Sequence, residues 1–101
     1  EFMGVEELRD DPRSGVGDCE DYALEKRRRL VAEGLPAAAL TMAIVHHRTA
    51  FFGHAILLAE TIQGTCVLDN LTDEILCWSE TPYRFERRER PDGRWVRFIP
   101  R

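Results

Sequence analysis

Gly15-Val16-Gly17-Asp18-Cys19-Glu20-Asp21-Tyr22-Ala23 opens the long helical pattern around which the chain is organised. Two glycines give a flexible approach, Asp18 is a good N-cap, and Asp21 three residues later completes a capping-box-like pair. The pattern runs to about Glu33, with Ala23, Leu24, Leu30 and Val31 as its apolar side. Gly34 ends it as a C-cap, and Pro36 follows. Cys19 therefore falls in the first helical turn, where free backbone N–H groups and the positive end of the helix dipole favour a thiolate. The neighbouring acids Asp18, Glu20 and Asp21 act the other way, so a nucleophile here requires a base from elsewhere in the fold. On this stretch alone, a structural cysteine in a capped helix stays open as the alternative.

Upstream, Val5 to Leu8 is expected as a short helical turn, and Asp10 to Gly15 as a loop. Downstream, Leu40-Thr41-Met42-Ala43-Ile44-Val45 is apolar on both parities, which predicts a central strand covered on both faces. His46 to Ala50 connects it to a second strand, Phe52 to Glu60, with Phe52, His54, Ile56 and Leu58 sharing one face. Gln63-Gly64 is a turn signal, and Thr65 to Leu71 completes a hairpin. Short strands are expected at Ile75–Trp78, Tyr83–Glu89 and Trp95–Ile99, with Pro91-Asp92-Gly93 as the last turn. Helix first, then an antiparallel meander, gives an α+β class.

The 101 residues suit one domain. Glu1-Phe2 ahead of Met3 looks like a cloning remnant, which leaves residues 4–101 as a single domain. A formal net charge of −4 argues against a nucleic-acid partner, and Lys26-Arg27-Arg28-Arg29 reads as a solvated helix face. No apolar run approaches the ~20 residues of a membrane span, and no segment after Met3 reads as a signal peptide. Three cysteines, Cys19, Cys66 and Cys77, are an odd number without CxxC spacing, so neither a disulfide framework nor a zinc knuckle is expected.

Two further residues stand out. His54 lies in an apolar strand, where a satisfied core histidine is the ordinary explanation. Asp69 ends the apolar run Val67-Leu68, and a carboxylate there needs a partner. If helix and sheet pack face to face, His54 can take the Cys19 proton, Asp69 can fix the imidazole tautomer, and Cys19 can attack an acyl carbon. The Cys19 backbone N–H would then serve as one oxyanion donor. Strand register is the open question. A turn at Gln63-Gly64 pairs Asp69 with Leu58, roughly 13 Å along the strand from His54, and makes Asp73 the residue opposite His54. A turn centred near Thr61-Ile62 places Asp69 opposite His54.

Gly17-Asp18-Cys19-Glu20-Asp21-Tyr22-Ala23, Gly53-His54-Ala55-Ile56-Leu57 and Val67-Leu68-Asp69-Asn70 together resemble the bacterial transglutaminase-like cysteine proteinases, whose best-known members are the LapG-type proteases of biofilm control. The tail Trp78-Ser79-Glu80-Thr81-Pro82-Tyr83-Arg84-Phe85 is similar as well. The resemblance implies a papain-like/transglutaminase-like core with Cys19, His54 and Asp69 as nucleophile, base and orienter. It also implies cleavage of a surface adhesin in the periplasm, and Ca2+ held by Asp18, Glu20 and Asp21, hard oxygen ligands of the kind calcium takes. No organic cofactor is expected. Family members usually carry a substantial segment ahead of the cysteine block, so a trimmed or naturally short relative is the expectation here. Two rivals follow. One is a transamidase or deamidase sharing the acylation step. The other is a catalytically idle module that dimerises through Phe51, Phe52 or Trp78.

Overall fold

The computed structural model describes residues 2–8, 18–50, 52–72 and 74–100, with the backbone alone for 2–8, 99 and 100. The Gly15–Gly17 approach, the Asp10–Gly15 loop, Glu1, Phe51 and Asp73 lie outside the described residues. The elements are β1 (Phe2–Leu8), α1 (Asp18–Ala32), β2 (Leu40–His47), β3 (Gly53–Thr61), β4 (Gly64–Leu68), β5 (Leu76–Cys77), β6 (Tyr83–Glu89) and β7 (Trp95–Pro100). Short 3-10 turns at Ala37–Ala39 and Trp78–Glu80 precede β2 and β6.

The order does not begin with a helix. Val5 to Leu8 belongs to β1, which pairs antiparallel with β7, Leu8 opposite Trp95 and Val5 opposite Phe98. So short a segment cannot hold a helix by local propensity, while a sheet edge supplies it with a ladder of hydrogen bonds. The sheet order is β1-β7-β6-β2-β3-β4-β5, so the meander holds only from β2 to β5. The chain then crosses back, and β6 pairs the other side of β2. That return makes β2 central, and Leu40 to Val45 are each at most 2% exposed, as an apolar run on both parities requires.

The sheet has a core on each face. On one, Met42, Ile44, Ala55, Leu57 and Trp95 pack under α1, which contributes Ala23 and the half-buried Cys19, Leu24 and Leu30. Val31, expected in this set, is exposed. It is rotated by ~100° from Leu30, and only one of the two can face the sheet. On the opposite face Ala43, Val45, Ile56, Leu58, Val67, Tyr83 and Phe85 form a second cluster. Phe85 makes edge contacts there with Trp78 at 6.0 Å and Phe98 at 6.2 Å.

The helix ends in a Schellman motif. Gly34 sits at φ +109°, its N–H bonds Val31 O at 3.0 Å, and Leu35 N–H bonds Leu30 O at 3.1 Å. Arg27 on α1 pairs with Glu89 on β6, and Glu89 Oε1 also accepts from Met42 N–H at 3.3 Å. That contact ties the helix to both central strands. The β3–β4 hairpin turns at Ile62-Gln63, one residue earlier than the Gln63-Gly64 signal, with Thr61 opposite Gly64 and Leu57 opposite Leu68. Gly64 closes the turn at φ +114°, a conformation side chains resist.

Candidate active site

Cys19 is the second residue of α1, within the first turn as expected. The described helix begins at Asp18 itself, and the glycine approach ahead of it lies outside the described residues. Acids at Asp18, Glu20 and Asp21 suit the positive helix end. The Cys19 sulfur lies 3.0 Å from His54 Nδ1. His54 is 1% exposed and stands opposite Val45 near the start of β3.

The two do not meet face to face. Strand alternation places His54 with Ile56 and Leu58, on the side away from the helix, whereas Cys19 packs against the helix-side core. They touch because both sit second in their elements, so the helix start reaches the strand end. Contact is end-on.

Asp69 completes the line. His54 Nε2–H donates to Asp69 Oδ1 at 2.6 Å, and Leu71 N–H donates to the same oxygen at 3.0 Å. Neither anticipated register applies. The observed pairing sets Asp69, one residue past the end of β4, beside Ile56 and two residues from His54. The gap is a diagonal one, ~7–8 Å between backbones, which an imidazole and a carboxylate can span. The chain turns away at Asn70 and Leu71, freeing the carboxylate from the ladder.

Tyr83, at the start of β6, donates its hydroxyl to Asp69 Oδ2. Its ring lies 5.7 Å from that of His54. Burial would lift the Asp69 pKa, but the hydrogen bonds from His54, Tyr83 and Leu71 outweigh it and hold the carboxyl below its ordinary value. Burial, followed by the Asp69 contact, pushes Tyr83 the other way and keeps it a protonated donor. The sequence places Tyr83 at the start of an expected strand and within the similar tail, without linking it to Asp69. Its signal was alternation: Tyr83 and Phe85 share the far face of β6 with Asp69's end of β4.

A cavity of ≈ 300 Å³ opens beside Asp69 and Tyr83, lined also by His47, Phe52, Leu71 and Pro82. Cys19 is not among the described residues that line it. Asp18, Glu20 and Asp21 all lie in the first turn of α1. Asp18 and Asp21 are three apart and line the same outer hollow of α1, while Glu20 is rotated off that side. Among the described residues no group of three potential ligands gathers. Trp78, a candidate dimer contact, packs into the far core, whereas Phe52 is partly exposed with its ring 5.1 Å from that of His47. Among the described residues no helix is long and apolar enough to cross a membrane.

The family model for bacterial transglutaminase-like cysteine proteinase BTLCP matches residues 1–100. Two solved structures of LapG from Legionella pneumophila are similar, each 26% identical and each covering 88% of this chain. The calcium-bound form has a TM-score of 0.70 and the EGTA-treated form 0.69. The chain spans 60% and 58% of the lengths of those LapG chains. No curated protein matches it.

Proposed function

The chain belongs to the bacterial transglutaminase-like cysteine proteinases, and on that premise we propose that it hydrolyses peptide bonds with Cys19, His54 and Asp69 as nucleophile, base and orienter. The observation that carries this is the unbroken line from sulfur to Nδ1 and from Nε2 to carboxylate, 3.0 Å and 2.6 Å. With Asp69 accepting from Nε2–H, the Nδ1 lone pair faces the thiol, and His54 takes the Cys19 proton. The sulfur then bonds to the carbonyl carbon, and the C=O electron pair moves onto oxygen. The N–H of Cys19, one of the unpaired donors of the first helical turn, supports that oxyanion. Collapse expels the amine, which takes the proton back from Nδ1. Water, deprotonated by His54, finally cleaves the thioester.

The residues Asp69, Tyr83 and His54 together deepen the design. Tyr83 occupies the second carboxylate oxygen, so Asp69 has one oxygen left to direct at the ring. That arrangement favours one imidazole orientation. A glutamine transamidase would share every step up to the thioester and differ only in the group that cleaves it. The family resemblance extends the proposal to a surface adhesin as substrate and the periplasm as its place.

The test is digestion of an unfolded protein mixture with and without a primary amine, read by mass spectrometry. New peptide termini independent of the amine are expected. Amine adducts on glutamine without chain cleavage would instead establish the transamidase, and neither product would overturn both.

Calcium enters through the likeness to LapG, with Asp18, Glu20 and Asp21 of the first helical turn as the carboxylates that would contribute oxygens. Thermal melting of the chain in calcium and in chelator checks this. A higher Tm in calcium that Asp21→Asn removes is expected, and melting indifferent to calcium would contradict it.

A further inference from the structure

Two thiols away from the site stand directly opposite one another. Cys66 of β4 and Cys77 of β5 are register partners in the antiparallel ladder. Such partners carry their side chains on one face with Cα atoms ~4.5–5.5 Å apart. Disulfides bridge Cα atoms ~4.4–6.8 Å apart, so little backbone movement is needed. Both are free thiols in this structure, Cys66 half-buried and Cys77 exposed, so a small reagent can reach the pair from the Cys77 side. The neighbouring Glu80 carboxylate, then burial, and also Cys66 itself raise the Cys77 pKa, which sets the two thiols within electrostatic reach of each other. Spacing rules do not reveal this pair, because it is made by register across the sheet and not by closeness in sequence.

We infer that Cys66 and Cys77 are a dithiol that oxidises to a cross-strand disulfide. The bond would latch the two-residue edge strand β5 to β4 and bracket the turn that carries Asp69. The co-reactant is a small-molecule disulfide. One thiol loses its proton and its thiolate attacks a sulfur of the reagent, releasing one reagent thiolate and leaving a mixed disulfide. The second cysteine, deprotonated in turn, attacks the protein sulfur of that bond and releases the other half. Two protein thiols are oxidised and one disulfide is reduced to two thiols. Nothing in this exchange depends on the role of Cys19.

The experiment incubates the folded chain with oxidised glutathione, alkylates the remaining thiols and cleaves with a glutamate-specific protease, which cuts after Glu74 and so separates the two cysteines. Expected is a linked pair of peptides carrying Cys66 and Cys77, with neither of the two alkylated or holding glutathione, whichever of the two Cys19 carries. The oxidised chain should melt higher by on the order of 5 °C, an increase that dithiothreitol reverses. Lasting glutathione on Cys66 or Cys77, a link to Cys19, or full alkylation of both would overturn the inference. Cys66→Ser serves as the control, in which the linked peptides and the melting increase should both vanish.

Discussion

Replacing Cys19 by alanine is expected to abolish peptide cleavage while leaving the fold in place. The variant keeps His54, Asp69 and Tyr83 but removes the only atom in the line that can bond to an acyl carbon. Losing the nucleophile of such a unit costs on the order of 10^6 in kcat, because the base has nothing left to activate. The structural cost is small by comparison. Cys19 is half-buried at the rim of the helix-side core, and removing its sulfur should lower stability by about 1 kcal/mol. Rate on a cleaved peptide, measured beside Tm, separates the two effects. Full activity in the Cys19→Ala chain would remove Cys19 from the chemistry.

The second large effect belongs to Asp69. Asp69→Asn keeps the shape but removes the charge that stabilises imidazolium, and its amide can turn a donor toward Nε2. A fall in kcat of about 10^4 is expected. Asp69→Ala reaches further, since the carboxylate accepts from His54, Tyr83 and Leu71 at a site only 7% exposed. Leaving those donors buried without an acceptor should cost about 3–5 kcal/mol. Tyr83→Phe is the mild member of the series, at about 1 kcal/mol and about a tenfold lower kcat.

The pH dependence has a definite sign. A carboxylate whose folded pKa is depressed contributes stability that is fully present above its unfolded value and is lost as pH falls through the folded value. For Asp69 the ordinary value is 3.8 and the folded one lies below it. The stability gap between wild type and Asp69→Asn should hold from neutral pH down to about 4 and close below that. Tyr83 behaves in reverse, because its folded pKa is raised above the ordinary 10.0. Its contribution is present below pH 10 and fades only in stronger alkali. Melting curves across both ranges check the two signs.

What the sequence revealed and what it hid follow from the range of the forces involved. The helix from Asp18 and its glycine stop were legible because capping and 3.6-residue periodicity are local. The double-sided burial of Leu40 to Val45 was legible for the same reason. The residues Cys19, His54 and Asp69 could be named, but their meeting could not be derived, because it depends on one hairpin. Moving the turn from Gln63-Gly64 to Ile62-Gln63 shifts Asp69 by two residues along His54's strand, the difference between a broken line and a bonded one. Local turn propensity does not resolve that step, and face alternation does not either, because a two-residue shift leaves Val67 and Leu68 on the same faces in both registers. Strand β1 and the return of β6 to β2 were hidden because both are pairings between distant segments. Tyr83 was missed as a partner of Asp69 for that reason too.

The most direct test of the proposed chemistry is the alkylation rate of each cysteine by iodoacetamide near neutral pH, resolved by peptide mapping, in wild type and His54→Ala. With His54 drawing the proton from Cys19, that residue should react faster than Cys66 or Cys77, and His54→Ala should slow it on the order of a hundredfold while leaving the other two unchanged. A Cys19 that reacts no faster than the other thiols, at a rate indifferent to His54, would contradict the account.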